Sequence, residues 1–208
     1  MKSILTAVAA AAILAVSAVG AQAATTFNLT GNSADSSSMA FSSGGIGMTA
    51  YSAREDSSVL SNAGKLTQTS GGLGVDLGRR DSDQVDSFGI DEAVIFVFDQ
   101  VVALETVYLS SFGHFDEWAF FFDTDNNGSL DEVFLSNSAN PYNFPTAYVG
   151  TTFGIGASGT GFNQEAFRIK GLAVSAVPLP AALPLYGAGL AVMGFVGWRK
   201  RRKAAAQA

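Results

Sequence analysis

The sequence contains no cysteine. That excludes a disulfide framework, thiolate metal ligands and a cysteine nucleophile. It contains one histidine, His114. A single imidazole with no sulfur partner leaves zinc short of ligands, and no G-x-S-x-G elbow surrounds any serine to complete a Ser-His-Asp site. Positive charge is scarce through the middle. All 18 acidic residues lie between Asp35 and Glu165, and only six of the 12 basic ones lie in residues 24–176, which leaves that region at −12. Such acidity repels nucleic acid and anionic lipid heads, and it suits divalent cations or neutral polymers better. A convincing 3.6-residue period is also missing between the two chain ends.

What is present at the ends reads as addressing. Met1-Lys2-Ser3 is followed by the apolar "ILTAVAAAAILAVSAVG" and then Ala21-Gln22-Ala23. One positive charge, a short apolar core and an A-x-A site predict a secretory signal peptide over residues 1–23, cleaved after Ala23. An exported chain without disulfides is then held by packing, or by packing plus a metal. Near the C-terminus, Leu179 to Trp198 carries no charge over about 20 residues, the length a helix needs to cross roughly 30 Å of hydrocarbon. The spacing predicts a transmembrane helix over about 182–198. Its glycines are tolerated in membrane helices, and Trp198 falls where an aromatic belt is expected. Arg199, Lys200, Arg201, Arg202 and Lys203 follow at once. The positive-inside rule keeps them in the cytoplasm and turns residues 24–176 outward.

Before the apolar run stands Val177-Pro178-Leu179-Pro180-Ala181. Neither proline donates a backbone hydrogen bond, so the stretch is held extended and accessible. Motif, apolar helix and basic cluster, in that order over Val177–Lys203, resemble the VPLPA-type branch of the PEP-CTERM sorting signals. The resemblance implies recognition of Val177–Ala181 by an exosortase-type membrane protease and removal of the helix. Its partners would be that protease, the inner membrane and an exopolysaccharide matrix. A plain C-terminal anchor behind a proline linker is the simpler alternative.

Residues 24–176 read as one exported domain, about 150 residues around a single core. Serine, glycine and asparagine dominate up to about Asn62 and suggest loops or weak edge strands, with Ile46–Ser52 as a strand. Glu92–Gln100 reads as a short buried strand, Val102–Phe112 as an alternating one. Trp118, Phe120 and Phe122 share one face at period two, and "DEVFLS" follows. Phe167 and Ile169 oppose Arg168 and Lys170. Short strands with glycine-rich turns predict an all-β fold, an antiparallel β-sandwich, jelly-roll-like. A looser resemblance, to ectodomains of PEP-CTERM proteins, rests on Gly72-Leu73-Gly74-Val75, then Gln84-Val85-Asp86, then Gly89 and Glu92 before an apolar strand, with Ser87 where that pattern often has Asn.

Chemistry-bearing candidates are few. Asp123, Asp125, Asn127, the Ser129 carbonyl and Asp131 match positions 1, 3, 5, 7 and 9 of a D-x-[DN]-x-[DN]-G calcium loop, with Gly128 at the turn. Position 12, where an EF-hand needs Glu, is Phe134, and Asn127-Gly128 also reads as a plain hairpin turn. The expectation is a calcium-stabilised loop between strands. Asp81, Asp83 and Asp86, with Asp91 and Glu92 nearby, read either as a second cation site or, preferably, as a solvated acidic loop. His114 reads as a loop or strand-end residue. Asp116 and Glu117 are adjacent, so on a strand they point to opposite faces and make a poor glycosidase pair. Gly154-Ile155-Gly156-Ala157-Ser158-Gly159 matches G-x-G-x-x-G by letter alone and reads as a glycine-rich loop. Trp118 reads as core, whereas Tyr142 and Phe144, between Pro141 and Pro145, read as loop residues and candidate glycan contacts. The expectation is a non-catalytic, structural or adhesive surface or matrix protein. The rivals are a secreted hydrolase of matrix polysaccharide and a permanently anchored surface protein.

Overall fold

The computed structural model describes residues 23–56, 59–78, 81–113, 116–125, 127–136, 140–157, 165–177, 189–191 and 193–195. Residues 23–177 form one compact unit, and a second unit comprises residues 1–22 and 178–208. In the second unit, 189–191 and 193–195 are helical. Among the described residues no helix is long and apolar enough to cross a membrane. The expected signal segment through Ala21, motif residues Pro178–Ala181, most of the expected transmembrane helix and the 199–203 basic cluster lie outside the described residues.

The unit is all-β and antiparallel. Its strands are β1 (Thr25–Asn28), β2 (Ser38–Ser43), β3 (Ile46–Asp56), β4 (Val59–Asn62), β5 (Lys65–Thr69), β6 (Gly72–Asp76), β7 (Val85–Asp86), β8 (Glu92–Ser110), β9 (Trp118–Phe122), β10 (Asp131–Ser136), β11 (Tyr142–Gly156) and β12 (Ala166–Ala176). Six of them close into a ring, β3–β4–β10–β9–β11–β8 and back to β3. Closure removes exposed edges within the ring. The weakest join is β4 to β10, a single partner pair, Val59 with Asp131. The other strands hang on this ring. β12 lies beside the second half of β8 and carries β6, β7 and β1 on its other side, β5 pairs with β6, and β2 pairs with β3.

The 19-residue β8 organises the whole unit. Residues 92–98 pair with β3, and 102–110 pair with β12. The two stretches anticipated as separate strands are thus one strand that changes partner around the exposed 99–101. The main core lies on one face of the ring, with Phe27, Phe96, Phe153, Leu172 and Trp118 fully buried. Phe27 of β1 meets Phe98 of β8 edge-on at 5.6 Å. Phe167 and Ile169 are buried while Lys170 is exposed, the alternation expected for β12.

The enclosed face is filled differently. Ala53, Ala93, Gly156 and Ala119 are cross-strand partners in one row, and Tyr51, Ile95, Gly154 and Phe121 in the next. β4 and β11 are opposite members of the ring, yet a side chain added at Gly154 would collide with Leu60 of β4 and come within 2.9 Å of the Phe121 Cβ. At Gly156 it would meet the Ala93 Cβ at 2.8 Å. Small residues fill this row because six strands enclose little space. Gly154 and Gly156 therefore stand inside a strand, not in the glycine-rich loop anticipated from their spacing; Ser158 and Gly159 lie outside the described residues. Gly154→Ala is expected to lose about 1–3 kcal/mol through overpacking, read as a lower urea midpoint; an unchanged midpoint contradicts a filled interior.

Candidate functional site

The acidic stretch expected to be solvated is only partly so: Asp83 is exposed, while Asp86 and Glu92 are folded inward. After β6 the chain doubles back over its own sheet. The Gln84 carbonyl accepts from Val75 N at 3.2 Å, and the Asp83 carbonyl accepts from Thr67 Oγ1 at 2.8 Å. Gly74 permits this approach, because a Cβ there would overlap the Asp83 carbonyl. β7 then pairs with the start of β12, Val85 with Phe167 and Asp86 with Ala166. Gly89, at φ +93°, turns the chain into β8. The residues of the looser ectodomain resemblance thus meet in one place.

There Asp81, Asp86 and Glu92 bring carboxylate oxygens within 4.8 Å of one another. Asp86 is 4% exposed and Glu92 2%; Asp81 is half-buried. Backbone groups hold the cluster. Asp86 N donates to Glu92 Oε2 at 3.1 Å, and Phe88 N donates to Asp86 Oδ1 at 2.9 Å. Leu77 N and Ser82 N both donate to Asp81, and Ser82 Oγ donates to Asp86 Oδ2. Beside it, Ser87 Oγ donates to Glu165 Oε2 at 2.5 Å. Asp81 and Glu92 line a cavity of about 280 Å³, lined also by exposed Phe88 and Ile90. Burial, then a hydrogen bond with Asp81 and the charge of Asp86, push the Glu92 carboxyl from its ordinary 4.5 up to about 10. Glu92 therefore keeps its proton at neutral pH, and the three groups of oxygens have the spacing a divalent cation would accept.

In the expected calcium loop the side-chain oxygens are held by backbone groups of the turn. Asp123 accepts from Asn127 N at 3.1 Å and Gly128 N at 2.9 Å, Asp125 accepts from Asn127 N and Nδ2, and Asn127 Oδ1 accepts from Ser129 N at 2.7 Å. Gly128 has φ +88° and sits at the turn. Asp131 is on β10, opposite Phe122 and Val59. Among the described residues, Asp123, Asp125 and Asp131 form no group of three converging carboxylates; Asn126 lies outside them. His114 lies outside them as well, while Asp116 accepts from Gly113 N at 2.5 Å.

A second feature is aromatic. Trp118 is fully buried, with ring centroids at 5.2 Å from Tyr142, 5.6 Å from Phe134 and 6.3 Å from Phe144. Among the described residues its indole N–H has no acceptor, a defect worth about 1–3 kcal/mol. Tyr142 and Phe144 lie on β11, not in the anticipated loop. The two prolines misled, because Pro141 falls just before the strand and Pro145 is exposed within it. Phe144 is buried in the core, while Tyr142 and Tyr148 are half-buried. With Phe134 these residues line a cavity of about 450 Å³.

No protein-family model, no curated protein and no solved structure matches the chain.

Proposed function

We propose that the chain is a non-catalytic exported protein, delivered by its N-terminal segment and held through a C-terminal exosortase sorting signal. Its mature role is that of a structural or adhesive component of the cell surface or an exopolysaccharide matrix. One observation carries this reading: Val177–Ala181, the uncharged run to Trp198 and the five bases 199–203 stand in the order such a signal requires. The first motif residue supports it: β12 ends at Ala176, and Val177, whose N–H donates to the Val101 carbonyl, is 37% exposed beyond the strand. Mass spectrometry of the mature termini tests the reading, which expects loss of residues 1–23 and of the basic cluster.

The jelly-roll-like sandwich belongs to the same proposal. What favours two layers over a full barrel is the join of β4 to β10, made through a single partner pair, Val59 with Asp131.

Calcium is part of it too, since chains outside the cell meet about millimolar calcium. Calcium at about ten times its dissociation constant is expected to add ~1.4 kcal/mol to stability, visible as a higher melting midpoint than in chelator. Asp123→Ala abolishes the rise if the 123–131 loop binds the ion, and Glu92→Gln abolishes it if the buried cluster does. An equal midpoint with and without chelator contradicts calcium binding.

A further inference from the structure

We propose that the aromatic surface on β10 and β11 is a sugar-binding cradle that takes the face of a neutral pyranose ring. It deepens the matrix-component reading by naming the partner's chemistry, and rests on that reading only for where the polysaccharide is met.

Phe144 forms the floor. Tyr142 stands at 88° to it with centroids 5.2 Å apart, Tyr148 at 74° and 5.7 Å, and Phe134 at 67° and 6.0 Å. Three partly exposed rings therefore rise around a buried one. The centroid spacings mean that the rings touch. No quaternary ammonium group enters between rings already in contact, so a ligand lies across them. The cavity of about 450 Å³ is in the size range of small-molecule sites. It is walled by apolar rings and carries two phenolic oxygens and the exposed Thr146 hydroxyl. A pyranose offers that combination in reverse, with axial C–H groups on its face and hydroxyls at its edge. Directly against this cluster lies Trp118, whose indole N–H is the buried side-chain donor without an acceptor among the described residues. Trp118 itself lies beneath the rings and does not line the cavity, so it reports on the cluster through Tyr142. Charge narrows the ligand further: with 18 acidic residues between Asp35 and Glu165, the chain disfavours uronate-bearing or sulfated sugars.

The test is retardation of the purified full-length chain in non-denaturing gels containing dextran, galactomannan or hydroxyethylcellulose, with alginate as the anionic comparison. At least one neutral polymer is expected to retard the chain and alginate not. Tyr142→Leu and Tyr148→Leu, which keep apolar bulk and remove the ring face, should each bind about tenfold more weakly, with a cooperative melt showing that each is folded. Should either fail to fold, the parent sequence carrying Trp198→Phe supplies a second readout, because bound sugar should change Trp118 emission. Retardation by alginate alone, by no neutral polymer, or equally for parent and both folded variants overturns the inference, as does unchanged Trp118 emission at saturating polymer. The gel reads binding whatever the fate of the C-terminus. A processed, exported chain that binds no sugar therefore defeats this inference alone, and an unprocessed chain that binds supports it while defeating the sorting reading.

Discussion

Trp118→Ala is expected to destabilise the fold by about 3–5 kcal/mol, among the largest effects of any single side chain. Trp118 has no exposed surface, and it joins β9 to β10 and β11 through Phe134, Tyr142 and Phe144. Phe120, two residues on, repeats the arrangement against Phe134, Phe144 and Tyr148. Removing the indole opens a cavity where three strands of the ring meet, and stiff neighbouring rings collapse into it poorly. Trp118→Phe should behave differently. It keeps much of the contact and removes the indole N–H that lacks an acceptor, so the cavity cost and the relief of an unmet donor oppose each other. The expected loss is about 1 kcal/mol or less. Urea unfolding of both variants checks the pair. A Trp118→Phe loss of several kcal/mol, as large as an uncompensated cavity would give, contradicts a cost for the orphaned N–H.

The second large effect is a pH dependence centred on Glu92. Its carboxyl is held up to about 10 in the folded chain against 4.5 as the ordinary value. Between those values the folded state binds a proton that the unfolded state has released. Stability from this group is therefore full at acidic pH, below 4.5, and is lost as pH rises. The slope is at most about 1.4 kcal/mol per pH unit, or up to about 4 kcal/mol from pH 5 to 8. The groups acting on Glu92 are Asp81 and Asp86: both carboxyls disfavour its ionisation, while the Asp86 backbone N–H favours it. Arg54 is its strand partner on β3, and Asp91 precedes it. Glu92→Gln keeps the shape of the protonated acid and cannot ionise. It should match the parent at pH 5, exceed it at pH 8 and flatten the profile between, in urea melts with calcium chelated. A parent profile already flat across this range contradicts a proton held in the cluster.

How far the sequence revealed these features depends on whether the cause was local. The faces of β9 and β12 were legible because Trp118, Phe120 and Phe122, and Phe167 with Ile169, repeat every second residue over a single partner surface. β11 was not. Pro141, Pro145 and three glycines in its second half look like a loop, yet Gly154 and Gly156 are there because opposite walls of the ring leave no room for a side chain. That constraint is set by Leu60, Ala93 and Phe121, residues distant in the chain. The continuity of β8 was hidden for a related reason: Asp99, Gln100 and Val101 are exposed where the strand changes partners, and three exposed residues look like a break. Asp86 and Glu92 were recognised as acidic and nearby, but their burial depends on the chain folding back over Gly74. The one local signal was glycine in Gly72-Leu73-Gly74-Val75, a stretch otherwise suited to a strand interior.

The central claim is that residues 177–203 are a removable membrane handle and that the β unit works outside the inner membrane. Intact-mass and terminal-peptide mass spectrometry of the protein recovered from its own cells tests it most directly. The account predicts a chain that begins at about residue 24 and ends without Arg199–Lys203, recovered from the surface or extracellular fraction. A chain in the cytosol carrying both Met1 and the complete basic cluster contradicts it.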